Sequence, residues 1–377
     1  MADVEDVGPE LVMDVANATE AEDRIIHYPR GATIFAAVAC IIFIVVGIAG
    51  NLITIIALSR SIKLRVHATT AFVVSLCLSD LLFCSINLPL TASRYITESW
   101  MLGETACRIF PFFFYGNVAA SLFNMVAITL NRYILIGHNQ LYNKIYRFPC
   151  IVAMVLAVWI FSFAMMMPPL LEVWGRLGLN ERTFSCTILK KDGKSPKKML
   201  FAIGILIPCV IIITCYTLIF IKVRRSRRAI RGHSMHGTRG SANITVQHGQ
   251  QKDAAARKED LRITKMMATI FFAFLACFFP LMLVNVFDDD DVRYPTLHVI
   301  ASVLAWMSSV INPFIYAFSN RNYRKAYRQL LCGKRRPSST HSAASRSASS
   351  RTFFTDVFQF NAKAESLVQK NGRRQDK

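Results

Sequence analysis

Residues 31–58 read GATIFAAVACIIFIVVGIAGNLITIIAL, without an Asp, Glu, Lys, Arg or His in the stretch. An α-helix needs about 20 apolar residues to cross a bilayer, and this run is longer than that. Working outward from it, further apolar runs fall at about 68–96, 104–137, 148–171, 196–222, 261–287 and 295–319, each bounded by polar or basic residues. In hydrocarbon every backbone N–H and C=O must be satisfied within the chain, so only helices or a closed barrel can span. No run alternates as a barrel strand does, which excludes the barrel. The expectation is an all-α integral membrane protein: a seven-helix bundle over 31–319, preceded by a tail over 1–30.

Composition agrees. The 377 residues are 53% hydrophobic and 18% charged, whereas soluble domains run near a quarter charged. The net charge of +20 invites a nucleic-acid reading, but the arginines and lysines gather at 222–231 and 321–336, beside apolar runs. No basic face on a soluble fold is visible, so nucleic acid is not an expected partner. Charge in those places sets orientation instead: 59–67, 138–147, 222–262 and 320–336 are basic and expected on the cytoplasmic side. The mixed segment 171–198, with Lys190, Lys191, Lys194, Lys197 and Lys198, is the local exception. The acidic first thirty residues hold no apolar stretch for a cleaved signal, so the first span is expected to direct insertion. This gives a multi-pass plasma-membrane protein with its N-terminus and the aspartates at 288–291 outside. Asn17-Ala18-Thr19 is then an expected glycosylation acceptor, while Asn243-Ile244-Thr245 lies inside and should stay bare. The stretch 232–257, rich in Gly, Ser, His and Gln, reads as a disordered inner loop. In 320–332, Arg324, Lys325 and Arg328 alternate with Tyr323, Tyr327 and Leu331, the pattern of a short amphipathic helix lying on membrane lipid. Cys332 at its end reads as a palmitoylation site or as an unmodified thiol. The remaining 333–377 form a cytoplasmic tail rich in Ser and Thr.

Two ionisable residues stand out. Asp80 lies in mid-span, where a charge costs roughly 2.5–3.5 kcal/mol, so it marks a functional position. Helical register lets it approach Asn51, Asn117, Ser121, Ser308, Ser309 and Asn312. Arg132, buried at the end of the third run, needs a partner unless it snorkels to the headgroups.

In chain order the runs also carry Gly50-Asn51, Leu78-Ser79-Asp80, Asn131-Arg132-Tyr133, Trp159, Pro208 with Tyr216, Cys277-Phe278-Phe279-Pro280 and Asn312-Pro313-Phe314-Ile315-Tyr316. Together these resemble the rhodopsin-like (class A) G-protein-coupled receptors across 31–332. The sequence Asn131-Arg132-Tyr133-Ile134-Leu135-Ile136 is most similar to the insect moody and trapped-in-endoderm group. The resemblance implies a receptor that turns binding of an extracellular ligand into activation of heterotrimeric G proteins. It also implies partners in arrestin and receptor kinases at the Ser/Thr-dense 338–355, and by analogy a role in cell migration or barrier formation.

The resemblance implies four further groups of residues. Cys107 and Cys186 would form a disulfide, the competing reading being two free thiols. A sodium ion would be held by Asp80, Asn117, Ser121, Ser308 and Asn312; the competing reading is a protonated Asp80 bonded to Asn312. The activation switch would comprise Asn131, Arg132, Tyr133, Tyr216, Asp260, Pro280, Pro313 and Tyr316. In the family the sixth span moves outward while the tyrosines swing in. Asn131 stands where the family usually has an acid, so Arg132 is expected to rest on Asp260, with Glu259 the adjacent alternative, under a weaker restraint. Last, the ligand would be lined by Phe114, Tyr115, Val118, Phe278, Leu281, Met282, Asn285, Ser302 and Trp306. Phe114 takes the place of the acid that amine receptors carry, so an apolar or lipid-like ligand is expected. Phe278 replaces the family's usual tryptophan. The seventh run lacks a lysine, which removes a retinal Schiff base.

Competing classes fare less well. A secondary transporter would show paired broken helices in corresponding halves, which are not visible. A non-signalling decoy is suggested by Asn131 alone. No nucleophile–base arrangement or metal-ligand spacing points to an enzyme, and no resident cofactor is expected beyond the sodium ion.

Overall fold

The computed structural model describes residues 28–61, 64, 67–234, 244–287 and 293–332. Seven helices among them are long and apolar enough to cross a membrane: Arg30–Arg60, Ala68–Thr97, Gly103–Gly137, Phe148–Leu170, Lys197–Arg225, Lys258–Val284 and Pro295–Ser319. We refer to them as the first to seventh spans. Asn17, Asn243, the aspartates at 288–291 and the tail beyond 332 lie outside the described residues, together with the expectations attached to them.

Prolines shape the spans. A proline removes a backbone donor and clashes with the preceding turn. The second span widens into a π turn at Phe83–Asn87 just before Pro89, and the fifth does so at Ala202–Leu206 just before Pro208. Pro111, Pro280 and Pro313 sit inside the third, sixth and seventh spans. Burial ranks the helices: the most apolar stretches of the second, third and seventh spans are 61%, 61% and 67% buried, against 11% in the fourth. The polar side chains of the bundle can therefore be shielded on the second, third and seventh, while the fourth faces outward. Gly50 permits one close approach, since a Cβ there would stand 3.1 Å from the Pro313 ring.

Three features depart from the sequence reading. The mixed segment 171–198 holds an antiparallel hairpin, β1 (Arg176–Asn180) and β2 (Ser185–Leu189), with Leu179 opposite Cys186. The Cys107–Cys186 disulfide ties it to the start of the third span. Gly175 leads into it at φ +71°, where a Cβ would meet Pro196 at 2.6 Å and the Leu189 carbonyl at 2.9 Å. The basic segment 138–147 contains a short helix, Asn139–Ile145. The sixth helix begins at Ile244, so much of the stretch expected to be disordered is helical. Its Ala254-Ala255-Ala256 run lies between Gln250-Gln251-Lys252-Asp253 and Arg257-Lys258, in which all but Asp253 are good helix formers.

An eighth helix, Arg321–Leu331, follows the seventh span and is capped by Asn320, whose side chain accepts from the Asn322 N–H at 2.8 Å. It buries Tyr323 and Ala326 against the bundle. The Tyr327 hydroxyl lies 2.9 Å from that of Thr54. Lys325 and Arg328 stay exposed, which is the amphipathic division its sequence predicts.

Candidate functional site

Polar groups run through the bundle from the basic end, near Arg132, to the end covered by the hairpin. At mid-depth Asp80 is 1% exposed. Its Oδ2 accepts from Asn312 Nδ2 at 2.8 Å and its Oδ1 from Ser121 Oγ at 3.2 Å. Ser79 Oγ lies 3.0 Å from Ser121 Oγ and donates to the Asn117 carbonyl at 3.1 Å. A small cavity beside them is lined by Asn117, Ser121, Ser308 and Ser309 on its polar side, and by Phe83, Val118, Phe274, Phe278 and Ala305. Both ends of the Asn117 amide are buried without a hydrogen-bond partner. A buried carboxylate is costly unless compensated, and here it has only neutral donors. An anion, hydroxyls and an unused amide oxygen make a hard donor set that suits a small cation. Asn51 does not join this group. Its Nδ2 donates to the carbonyls of Gly47 and Ser309, both at 3.0 Å, clamping the first span to the seventh.

At the basic end Arg132 is 1% exposed, and its Nη1 stands 3.4 Å from Asp260 Oδ1. Burial, and next the Arg132 charge, hold the nearby His67 below the ordinary imidazole range, against the opposing pull of Asp260 and Glu259. A histidine held toward its neutral form competes little with Arg132 for the Asp260 carboxylate. Glu259 takes a different partner, accepting from the Asn322 side chain in the eighth helix. Asn131, the neighbour that replaces the family's acid, turns its side chain to other partners. Asn131 Oδ1 accepts from Thr69 Oγ1 at 2.6 Å, and its Nδ2 lies 3.4 Å from the Tyr142 hydroxyl. Consecutive residues on a helix point about 100° apart, so Asn131 braces the second span and the short Asn139–Ile145 helix while Arg132 faces the sixth span. Tyr133 packs edge-on to His138 at 5.9 Å. The hydroxyls of Tyr216 and Tyr316 are buried and make no hydrogen bond; the Tyr316 ring stacks on Tyr323 at 5.5 Å.

At the hairpin end the expected ligand-lining residues are partly gathered. Phe114 lies 5.4 Å from Tyr115 and 5.3 Å from Phe83. The Tyr115 hydroxyl is 2.9 Å from that of Thr187 on β2. Trp306 is 4% exposed and 5.9 Å from Tyr95, which meets Phe184 of the hairpin at 6.1 Å; Phe184 meets Tyr28 at 5.0 Å. Phe278 stacks on Phe274 at 4.3 Å beside the mid-depth cavity, shared with Val118. Leu281 and Met282 pack, half-buried, on the inner core. Ser302 is half-buried, and the side chain of Asn285 lies outside the description. Tyr28, Phe83, Tyr95 and Phe184 were missed. Their aromatic rings were the available signal, but Phe83 sits in mid-span and Phe184 in a loop, and only the register of the second span and the hairpin brings them together.

Residues 50–316 match the family described as 7 transmembrane receptor (rhodopsin family). The chain belongs to that family. Protein trapped in endoderm-1 of Drosophila melanogaster is 54% identical over 309 residues, covering 81% of this chain and 79% of that protein. G-protein coupled receptor moody of the same fly is 35% identical over 343 residues, covering 79% of this chain but 51% of the relative, so the chain spans about half of moody's length. Squid rhodopsin superposes with a TM-score of 0.70 at 22% identity, over 85% of this chain and 95% of its own, a likeness of fold. The seven spans and the Cys107–Cys186 bond are thus those of a multi-pass G-protein-coupled receptor.

Proposed function

We propose that this receptor sits in the plasma membrane with its N-terminus and hairpin outside, binds an apolar or lipid-like ligand beneath the hairpin, and activates heterotrimeric G proteins at its basic end. The observation that carries the ligand class is the aromatic cluster of Phe83, Tyr95, Phe114 and Trp306, with Phe114 where an amine-binding acid would stand. Such rings offer apolar groups a surface to bury, and an amine would find no carboxylate at Phe114 to pair with. Cell migration or barrier formation remains part of this reading through the resemblance to moody and trapped in endoderm-1. In the resting state Asp260 restrains Arg132. Activation moves the sixth span away and frees the guanidinium, and the unpaired Tyr216 and Tyr316 hydroxyls find partners inside the opened end. Asp80, Asn117, Ser121, Ser308 and Asn312 would hold a sodium ion, which supplies positive charge against the buried carboxylate. Glycosylation at Asn17, palmitoylation of the exposed Cys332, and arrestin and receptor-kinase contacts at the tail complete the proposal.

The test is a set of cells carrying the receptor and reporters for several G-protein classes, challenged with the apolar and polar fractions of one tissue extract. The response is expected to follow the apolar fraction. A response confined to the polar fraction would overturn the ligand class.

A further inference from the structure

Among the described residues Arg94, near the hairpin end of the second span, has no counter-ion. Its Nη2 donates to the Tyr95 hydroxyl at 3.1 Å, and its guanidinium carbon lies 4.5 Å above the Tyr95 ring. Its Nε is closed off from solvent and makes no hydrogen bond. No carboxylate among the described residues comes within ion-pair distance. The nearby acid Glu98 accepts instead from Thr33 at 2.8 Å. Arg94 does not simply reach for bilayer headgroups: its Nε is shut off from solvent and its guanidinium lies on Tyr95, itself a buried ring. It is therefore a partly buried cation at the edge of the aromatic cluster, and Tyr95, on which it stacks, meets Trp306 at 5.9 Å. A partly desolvated guanidinium with an unused donor is suited to a carboxylate or phosphate, which it grips through two parallel hydrogen bonds.

We propose that Arg94 anchors the anionic head, phosphate or carboxylate, of a single-tailed amphiphile whose tail lies against Trp306, Phe83 and Phe114. This rests on the apolar-ligand reading above and adds a charge requirement to it.

The experiment uses the full-length receptor in phosphatidylcholine nanodiscs and measures equilibrium binding of four probes: oleoyl glycerophosphate, oleate, monooleoylglycerol and glycerol phosphate. Oleoyl glycerophosphate, oleate or both are expected to bind. The neutral monooleoylglycerol, and the tail-less glycerol phosphate, should bind at least tenfold more weakly. Arg94→Gln should weaken the anionic probes by a similar factor and leave monooleoylglycerol unchanged. Should Arg94→Gln not fold, Arg94→Lys serves, because a lysine keeps the charge but loses the two-pronged grip; a partial loss confined to the anionic probes is expected. Anionic binding unchanged in a folded Arg94 variant overturns the anchor. If monooleoylglycerol binds as well as oleate, the charge requirement falls while the apolar reading stands. If glycerol phosphate alone binds, the apolar reading falls and the amphiphile with it. Binding of none of the four to folded wild type also overturns the proposal.

Discussion

Asp80 and Asn131 show how much single residues disclose. A carboxylate in an apolar run is expensive, so Asp80 was legible from sequence, and register alone suggested Ser121 and Asn312, which do bond to it. Asp80→Asn keeps the shape and removes the charge. We predict that the variant reaches the membrane but that its agonist affinity no longer responds to sodium. Wild-type affinity indifferent to sodium would remove the site. Arg132 was legible for the same reason as Asp80. Asn131 was not, because its partners Thr69 and Tyr142 lie on another span and on a short loop helix whose sequence reads only as basic. Asn131→Leu would leave both hydroxyls without this partner, and a buried polar group left unsatisfied costs about 1–3 kcal/mol. A lower thermal midpoint of the solubilised receptor is the expected outcome. An unchanged midpoint would mean that Asn131 braces nothing.

The spans and the hairpin differ in how openly their sequences declare them. Long apolar runs have one solution in lipid, so the seven helices followed from hydropathy, whereas the π turns before Pro89 and Pro208 depend on backbone detail that proline announces but does not specify. The hairpin was hidden by its length and its lysines. Its second strand alternates, burying Cys186 and Ile188, with Leu177 buried opposite Ile188, a period-two signal too short to stand out in a mixed loop. Outside the disulfide, Glu172 links the hairpin end together, meeting Arg108 at 2.6 Å and Lys191 at 3.3 Å. The hydrogen bond and charge of Lys191, then the charge of Arg108, hold the Glu172 carboxyl below its ordinary value of 4.5. A depressed carboxyl contributes fully above its unfolded value and loses that contribution as pH falls through the folded one. Protection of the hairpin from protease should therefore stay level from neutrality down to about that ordinary value, then fall in stronger acid. Glu172→Gln should lower protection at neutral pH and remove the acid step. A step at near-neutral pH in wild type would contradict this account.

Across the whole molecule, the basic end is tied together by adjacent residues of the sixth helix: Asp260 on Arg132 of the third span and Glu259 on Asn322 of the eighth helix. The hairpin end is closed by rings from four elements. The sequence carried the first arrangement in part, as a charge seeking a partner, and hid the second, since aromatic residues in spans look alike until register is known. Asp260 is one-third exposed, so its pair with Arg132 is modest, about 1 kcal/mol. That corresponds to roughly a fivefold shift between closed and open populations. The decisive measurement is agonist-free nucleotide exchange on purified heterotrimeric G proteins, added to membranes holding equal amounts of wild type, Asp260→Ala or Arg132→Ala. The account predicts exchange several-fold above wild type for Asp260→Ala, and exchange at the level of receptor-free membranes for Arg132→Ala. Asp260→Ala at or below wild type, or Arg132→Ala undiminished, would contradict it.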